Sequence, residues 1–299
     1  LNVKRFVQDN HLVNPVLVDC TSSEIVASQY VEFLAAGFHI VTPNKKANAG
    51  SMAYYNELRD TAQNTMRRFL YETTVGAGLP VIDTLQGLFN AGDELVAFEG
   101  ILSGSLSYIF GKLDEGKTLS EATIEARELG YTEPDPRDDL SGTDVQRKLL
   151  ILARVAGFSL NLEDIQVEPL LPKELLEGDL NTFWSNKTQI DEYMAQQYAD
   201  ASKKGLKLAY QAKATFVDKV VEGEVKLVAL GSNNALTQLT PSDNVFTLTT
   251  DFYQQNPLVI RGPGAGAIVT ATAVNIDLNK FVLQLVAPAN GTGPIAELK

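Results

Sequence analysis

The 299-residue chain is 44% hydrophobic and 21% charged, enough to bury one large or two modest cores, which excludes a disordered polymer. A formal net charge of −12 argues against nucleic acid as a partner, because a phosphate backbone is held by clustered Lys and Arg. No apolar run approaches the roughly 20 residues that span a bilayer, and the amino end lacks the apolar core of a signal peptide. One cysteine, Cys20, rules out an internal disulfide framework, and His11 and His39, the two histidines, are too far apart to nucleate a zinc site. The expectation is a soluble, cytoplasmic enzyme that works on a small molecule with carboxylates and lysines.

From the amino end, residues 16–20 read as a buried parallel strand, 23–36 as a helix stopped by Gly37, and 38–42 as the next strand. A further helix and a strand at 69–72 follow. This βαβ rhythm predicts a parallel sheet with ligands at the carboxyl ends of its strands. Each strand runs into polar residues suited to that place: residues 19–23, 42–46 and 72–78. Beyond about residue 93 the pattern changes. A strand is expected at 94–102, a helix starting at Ser103-Gly104-Ser105, and a helix at 119–129. An acidic loop then leads to a helix at 143–156, and a polar helix lies around 190–204. Residues 207–230 read as a hairpin turning at Glu222-Gly223. Residues 257–260 are strand-like and lead into a glycine-rich turn, 262–267, and an apolar helix.

The densest chemistry lies in residues 130–148, GYTEPDPRDDLSGTDVQRK. Glu133, Asp135, Asp138 and Asp139 fall within seven residues, with Arg137 as partial offset, and such acids repel one another unless a cation is near. Asp144 and Lys148 stand four apart on a predicted helix and so share a face. Val145, Leu149, Leu150, Ile151, Leu152 and Val155 make that helix otherwise apolar, which places Lys148 on a mostly buried element. Desolvation would lower the lysine pKa and Asp144 would raise it, and an amine so balanced can exchange protons. Lys45 and Lys46, between a strand and a helix, could meet a phosphate, a carboxylate or a developing oxyanion, or form a solvated loop. Thr21, Ser22 and Ser23 offer either an anion or ribose site or a helix cap, and the same choice applies to Ser103, Gly104 and Ser105. Glu72 with the carbonyls of residues 75–79 could hold a hard monovalent cation, or form a tight turn.

The 130–148 motif, with Thr21-Ser22-Ser23, Thr42-Pro43-Asn44-Lys45-Lys46, the loop 74–80, the segment 100–109 and Gly262-Pro263-Gly264-Ala265-Gly266, resembles the homoserine dehydrogenase family. Its nearest likeness is the dehydrogenase half of bifunctional aspartokinase/homoserine dehydrogenases. The resemblance implies NAD(P)-dependent interconversion of L-homoserine and L-aspartate 4-semialdehyde, toward threonine and methionine. By the same resemblance Lys148 is the acid/base residue, Glu133 and Asp144 bind the substrate's ammonium and hydroxyl groups, Asp139 lies close by, and Gly130 lines the pocket. Lys45 sits between cofactor and substrate. Thr21, Ser22 and Gly266 contact NADP or NAD, and Glu72 with the carbonyls of Val75, Ala77 and Leu79 matches a structural monovalent cation site, such as Na+.

The fold this implies is α/β: a partial Rossmann-like parallel sheet at 1–92, an α+β substrate and dimerisation domain at 93–256, and a return segment at 257–299 that completes the nucleotide domain. No strand and G-x-G-x-x-G turn stand ahead of Leu1, so the chain is expected to start partway through the nucleotide domain. A homodimer or higher homo-oligomer is expected, since the second domain holds more apolar strands than one small core needs. The competing expectation is a truncated, cofactor-poor module for amino-acid binding or dimerisation. A semialdehyde dehydrogenase would need a nucleophilic cysteine, and Cys20, at the end of a buried strand, is expected to be inert.

Overall fold

The computed structural model describes residues 3–217 and 220–286. Strands Val16–Val18 (β1), His39–Val41 (β2) and Phe69–Leu70 (β3) form a parallel sheet in the order β1-β2-β3. Helices connect them, as parallel pairing requires. Ala27, Tyr30, Leu34, Ile40, Ala47 and Leu58 pack into one small core between this sheet and its helices.

The second sheet has six strands: Leu95–Ile101 (β4), Ile165–Val167 (β5), Leu206–Val217 (β6), Val220–Gly231 (β7), Asp243–Thr250 (β8) and Leu258–Pro263 (β9), in the order β5-β7-β6-β4-β8-β9. Only the β5 to β7 pair is parallel. Alternation sorts its faces. Phe98 points into the large core shared with helices Gly104–Asp114 and Thr143–Val155, while Ile101 joins a smaller cluster with Ala209, Leu236 and Val245. Glu99 pairs with Lys213, Lys213 with Glu224, and Glu224 with Gln166, so a row of polar side chains crosses the sheet.

The sheets are tied by the helix Ala267–Val286, which leaves β9 and packs on the first lobe. Asp277 Oδ2 accepts the Glu72 amide at 3.1 Å, Lys280 ion-pairs with Asp83 and Asp277, and the rings of Phe281 and His39 lie 4.2 Å apart. Among the described residues no helix is long and apolar enough to cross a membrane.

Several expectations are corrected. The helix at 23–36 is two helices, Glu24–Ala27 and Tyr30–Ala35, because the Ser28 hydroxyl donates to the Ile25 carbonyl and the chain turns there. Strand β1 is an edge strand whose Val18 is 42% exposed, and Cys20 beyond it is exposed rather than shielded. Glu222 and Gly223 do not turn the hairpin: they lie inside β7 opposite Thr215 and Ala214, and Val217 pairs with Val220. Gly223 instead admits the parallel strand β5, since an added Cβ would lie 3.3 Å from Ile165 Cγ1. Residues 257–260 belong to the edge strand β9 of the six-stranded sheet, so the chain returns to the first lobe only after Pro263.

Candidate active site

The helix Thr143–Val155 starts from Gly142, whose φ of +76° turns the chain after the short helix Arg137–Leu140. That turn aims the helix's first two rungs into a cleft of about 780 Å³ between the lobes. Asp144 lies in its first turn, and Lys148 one turn later falls on the same side. Lys148 is 11% exposed at its side chain; its Nζ donates to Asp144 Oδ2 at 2.8 Å and to the Leu102 carbonyl at 2.7 Å. Lys45 Nζ approaches the other Asp144 oxygen at 3.3 Å. Burial pushes the Asp144 carboxyl up, but Lys148 and Lys45 outweigh it and hold the group well below the usual carboxylate range.

Asp139 closes the other side. Its Oδ1 accepts the Ser105 hydroxyl at 2.6 Å and its Oδ2 the Glu133 amide at 3.0 Å. Burial pushes its carboxyl up to about 6, with Asp144 and Glu133 adding to the rise and the two hydrogen bonds opposing it. Glu133 lines the same cleft, exposed, and its carboxylate is paired with no cation among the described residues. Gly130, at φ +72°, also lines the cleft. Of the remaining acids, Asp135 is locked by Arg137, which reaches on to the Leu176 and Gly178 carbonyls. The sequence motif therefore separates into a structural acid and a set that faces the cavity.

The lysines and hydroxyls of the first lobe enter from the carboxyl ends of β1 and β2. Ser22, Lys45 and Lys46 line the cleft. Thr21 does not; its amide donates to Asp19 and its hydroxyl accepts the Ser23 amide, while Ser23 caps the helix Glu24–Ala27. From the return segment Gly264 and Ala265 line the cleft, and Gly266 sits just behind them at φ +121°. Gly104 lets that segment approach, because a Cβ there would lie 2.6 Å from the Ala265 Cβ.

Three groups escape the sequence reading. Arg147 lines the cleft beside Lys148 with no ion pair among the described residues. The Leu102 carbonyl anchors Lys148, and buried Asn244 donates to that same carbonyl at 3.2 Å. Arg147 stands inside the motif and was open to detection; a backbone carbonyl and a distant asparagine carry no sequence signal.

In the loop 72–79, Gly76 and Ala77 take positive φ of 82° and 54°, and the Val75 and Ala77 carbonyls accept no hydrogen bond among the described residues. The Leu79 carbonyl accepts the Val81 amide at 2.9 Å. The Glu72 carboxylate accepts the Ile82 and Asp83 amides at 2.8 Å each. Burial, with Asp83 adding, pushes Glu72 up to about 7 against those two bonds. Among the described residues no group of three or more His, Cys, Asp or Glu is placed to hold a metal.

Residues 80–278 match the family described as homoserine dehydrogenase, and residues 1–72 the one described as homoserine dehydrogenase, NAD binding domain. The bifunctional aspartokinase/homoserine dehydrogenase of Haemophilus influenzae is 53% identical over 276 residues, covering 91% of this chain and 33% of that protein. A chloroplastic counterpart from Arabidopsis thaliana is 43% identical, over 95% of this chain and 31% of its own length. The chain thus spans about a third of the curated relatives it matches. Among solved structures, a hyperthermophilic archaeal homoserine dehydrogenase in complex with NADPH superposes with a TM-score of 0.69 at 26% identity, over 95% of this chain and 76% of that one. A Candida auris protein of unknown function gives 0.85 at 36%, over 94% and 79%. By the match of more than half its length and by these identities, the chain belongs to the homoserine dehydrogenase family.

Proposed function

We propose that the chain catalyses the NAD(P)-dependent interconversion of L-homoserine and L-aspartate 4-semialdehyde, a step toward threonine and methionine, as the dehydrogenase part of a bifunctional protein. The observation that carries this reading is the Lys148 amine, nearly buried and fixed between Asp144 and the Leu102 carbonyl at the wall of a cleft. Reduction needs a proton at the aldehyde oxygen, and Lys148 gives it; in the reverse direction the amine takes the hydroxyl proton. Asp144, kept anionic, orients the amine and receives the hydroxyl side of the substrate, with Lys45 as its second cation. Glu133, paired with no cation among the described residues, and Asp139 suit the substrate ammonium.

A dinucleotide fits the remaining wall. The carboxyl ends of parallel strands are where such ligands gather, and Ser22 and Lys45 leave β1 and β2 there, with Thr21 and Gly266 flanking. When bound, the cofactor exchanges the hydride at the substrate's terminal carbon. The NADPH named for the archaeal relative supports NADP. The free carbonyls of Val75 and Ala77, with Leu79 and Glu72, support a monovalent cation such as Na+ in that loop. We divide the chain at residues 92 and 256 into a nucleotide lobe, a substrate and dimerisation lobe, and a return segment. The polar row Gln166, Glu224, Lys213 and Glu99 on the six-stranded sheet supports a homodimer through that face, and the exposed thiol of Cys20 suits the reducing cytoplasm.

Homoserine oxidation by the full chain, followed as NADPH or NADH absorbance, tests the proposal. Turnover that disappears in Lys148→Met is the expected result. Homoserine binding without dinucleotide binding in a calorimeter would instead point to a non-catalytic module.

A further inference from the structure

Behind the active site, a second cleft of about 360 Å³ opens between the lobes, lined by Arg59, Tyr71, Gln86, Arg154 and Ser159 among others. Arg154 stands near the end of the helix that carries Asp144 and Lys148 and is 3% exposed. Among the described residues its guanidinium donates only to carbonyls, those of Leu160, Asn48 and Gly50 at 2.7–3.0 Å. Arg59, on the helix Met52–Asn64, donates to Asn48 Oδ1 at 3.2 Å, Tyr71 Oη at 3.1 Å and the Tyr55 carbonyl at 3.5 Å. Both guanidiniums lie against one ring: Arg59 Cζ is 3.3 Å and Arg154 Cζ 5.1 Å from the Tyr55 centroid.

Neither arginine is ion-paired among the described residues, and Glu163, the acid whose field reaches Arg154, lies beyond ion-pair distance. Asn48 Nδ2, fully buried beside them, has no acceptor among the described residues. Two cations in one recess of a chain with net charge −12 are an imbalance that the fold leaves open. Carbonyl and hydroxyl acceptors orient a guanidinium but do not neutralise it, and a buried charge such as Arg154 is ordinarily paired, with half-buried Arg59 beside it. We propose that this cleft is a binding site for a small oxyanion with two charged oxygens, a phosphate or a dicarboxylate, held by Arg59 and Arg154 and bridging the lobes. Arg154 keeps one N–H uncommitted among the described residues, and Arg59 keeps its Nε–H and one on Nη1, so each can donate to such an oxygen while its charge attracts it. The site is separate from the catalytic cleft and does not depend on the activity proposed above.

Calorimetric titration of the full chain with inorganic phosphate, and separately with malonate, tests the site. One binding event is expected; Arg59→Gln should weaken it by about tenfold or more, and Arg147→Gln in the catalytic cleft should leave it unchanged. Gln86→Glu places a carboxylate at the rim and should raise Tm while abolishing the titration signal, a result that misfolding cannot mimic. Tighter phosphate or tighter malonate each supports the cleft and tells a tetrahedral ligand from a dicarboxylate. Equal affinity in Arg59→Gln and the parent, loss confined to Arg147→Gln, or no heat at about 10 mM of either anion overturns it.

Discussion

Lys148 has two fixed partners, and each sets something different. The Leu102 carbonyl, held also by Asn244, fixes where the amine sits; Asp144 supplies its counter-charge. Replacing Lys148 with Met keeps the packing but removes the amine that takes the hydroxyl proton, so kcat for homoserine oxidation should fall by about 10²–10⁴ while Asp144 stays paired with Lys45. A kcat within twofold of the parent would remove the lysine from the chemistry. Asp139 makes a pH prediction. Its carboxyl, pushed up to about 6 chiefly by burial, is ionised at pH 7.5 and neutral at pH 5. An ammonium-bearing substrate is attracted only by the ionised form, so KM for homoserine should rise as pH falls through about 6. In Asp139→Asn that acid limb should vanish, leaving a flat and higher KM. A limb that survives in the variant assigns the titration to another group.

At the scale of elements, the helix Thr143–Val155 shows what local sequence can and cannot announce. Its apolar face and its Asp144–Lys148 pair were readable because all of them lie on one short helix and recur at helical spacing. What starts the helix was not, since the reason for glycine at 142 lies on another strand: an added Cβ would sit 2.1 Å from Tyr210 Oη. The Glu222-Gly223 pair misled for the same reason. It looks like a turn, and it is a flat place where β5 comes close. Strand β8 went unread although Asn244 and the Gly264 approach depend on it. Gly142→Ala should cost about 2–3 kcal/mol, from left-handed backbone strain and displacement of the Tyr210 hydroxyl from the Glu168 carbonyl. Tyr210→Phe removes the clashing oxygen, so the double variant should lose less than the summed singles in urea unfolding. Strict additivity would show that the hydroxyl does not set the constraint.

Across the whole molecule, the lobes meet through the contiguous motif 130–148 on one side and the loop 72–79 with the helix Ala267–Val286 on the other. The first was legible because its groups are neighbours in sequence; of the second, the return of the chain's last segment to the nucleotide lobe was expected, but not the Asp277–Glu72 contact, whose partners are 205 residues apart. That second junction carries the proposed cation, and a cation bound only by the folded state stabilises it by mass action. At constant ionic strength, exchanging tetramethylammonium for Na+ should therefore raise Tm progressively, because the larger ion cannot enter between the Val75 and Ala77 carbonyls. The two buried Glu72 bonds to Ile82 and Asp83 favour an ionised carboxylate that burial opposes, so a cation in contact should draw the Glu72 titration down from about 7. A group whose folded pKa lies above its ordinary value costs stability as pH rises toward it, and that cost should be visible between pH 5 and 7 without Na+ and smaller with it. Glu72→Gln should remove both the pH dependence and the Na+ dependence of Tm. If Tm in tetramethylammonium equals Tm in Na+ across that range, the loop holds no cation, and the lobes are joined by Asp277 and Lys280 without one.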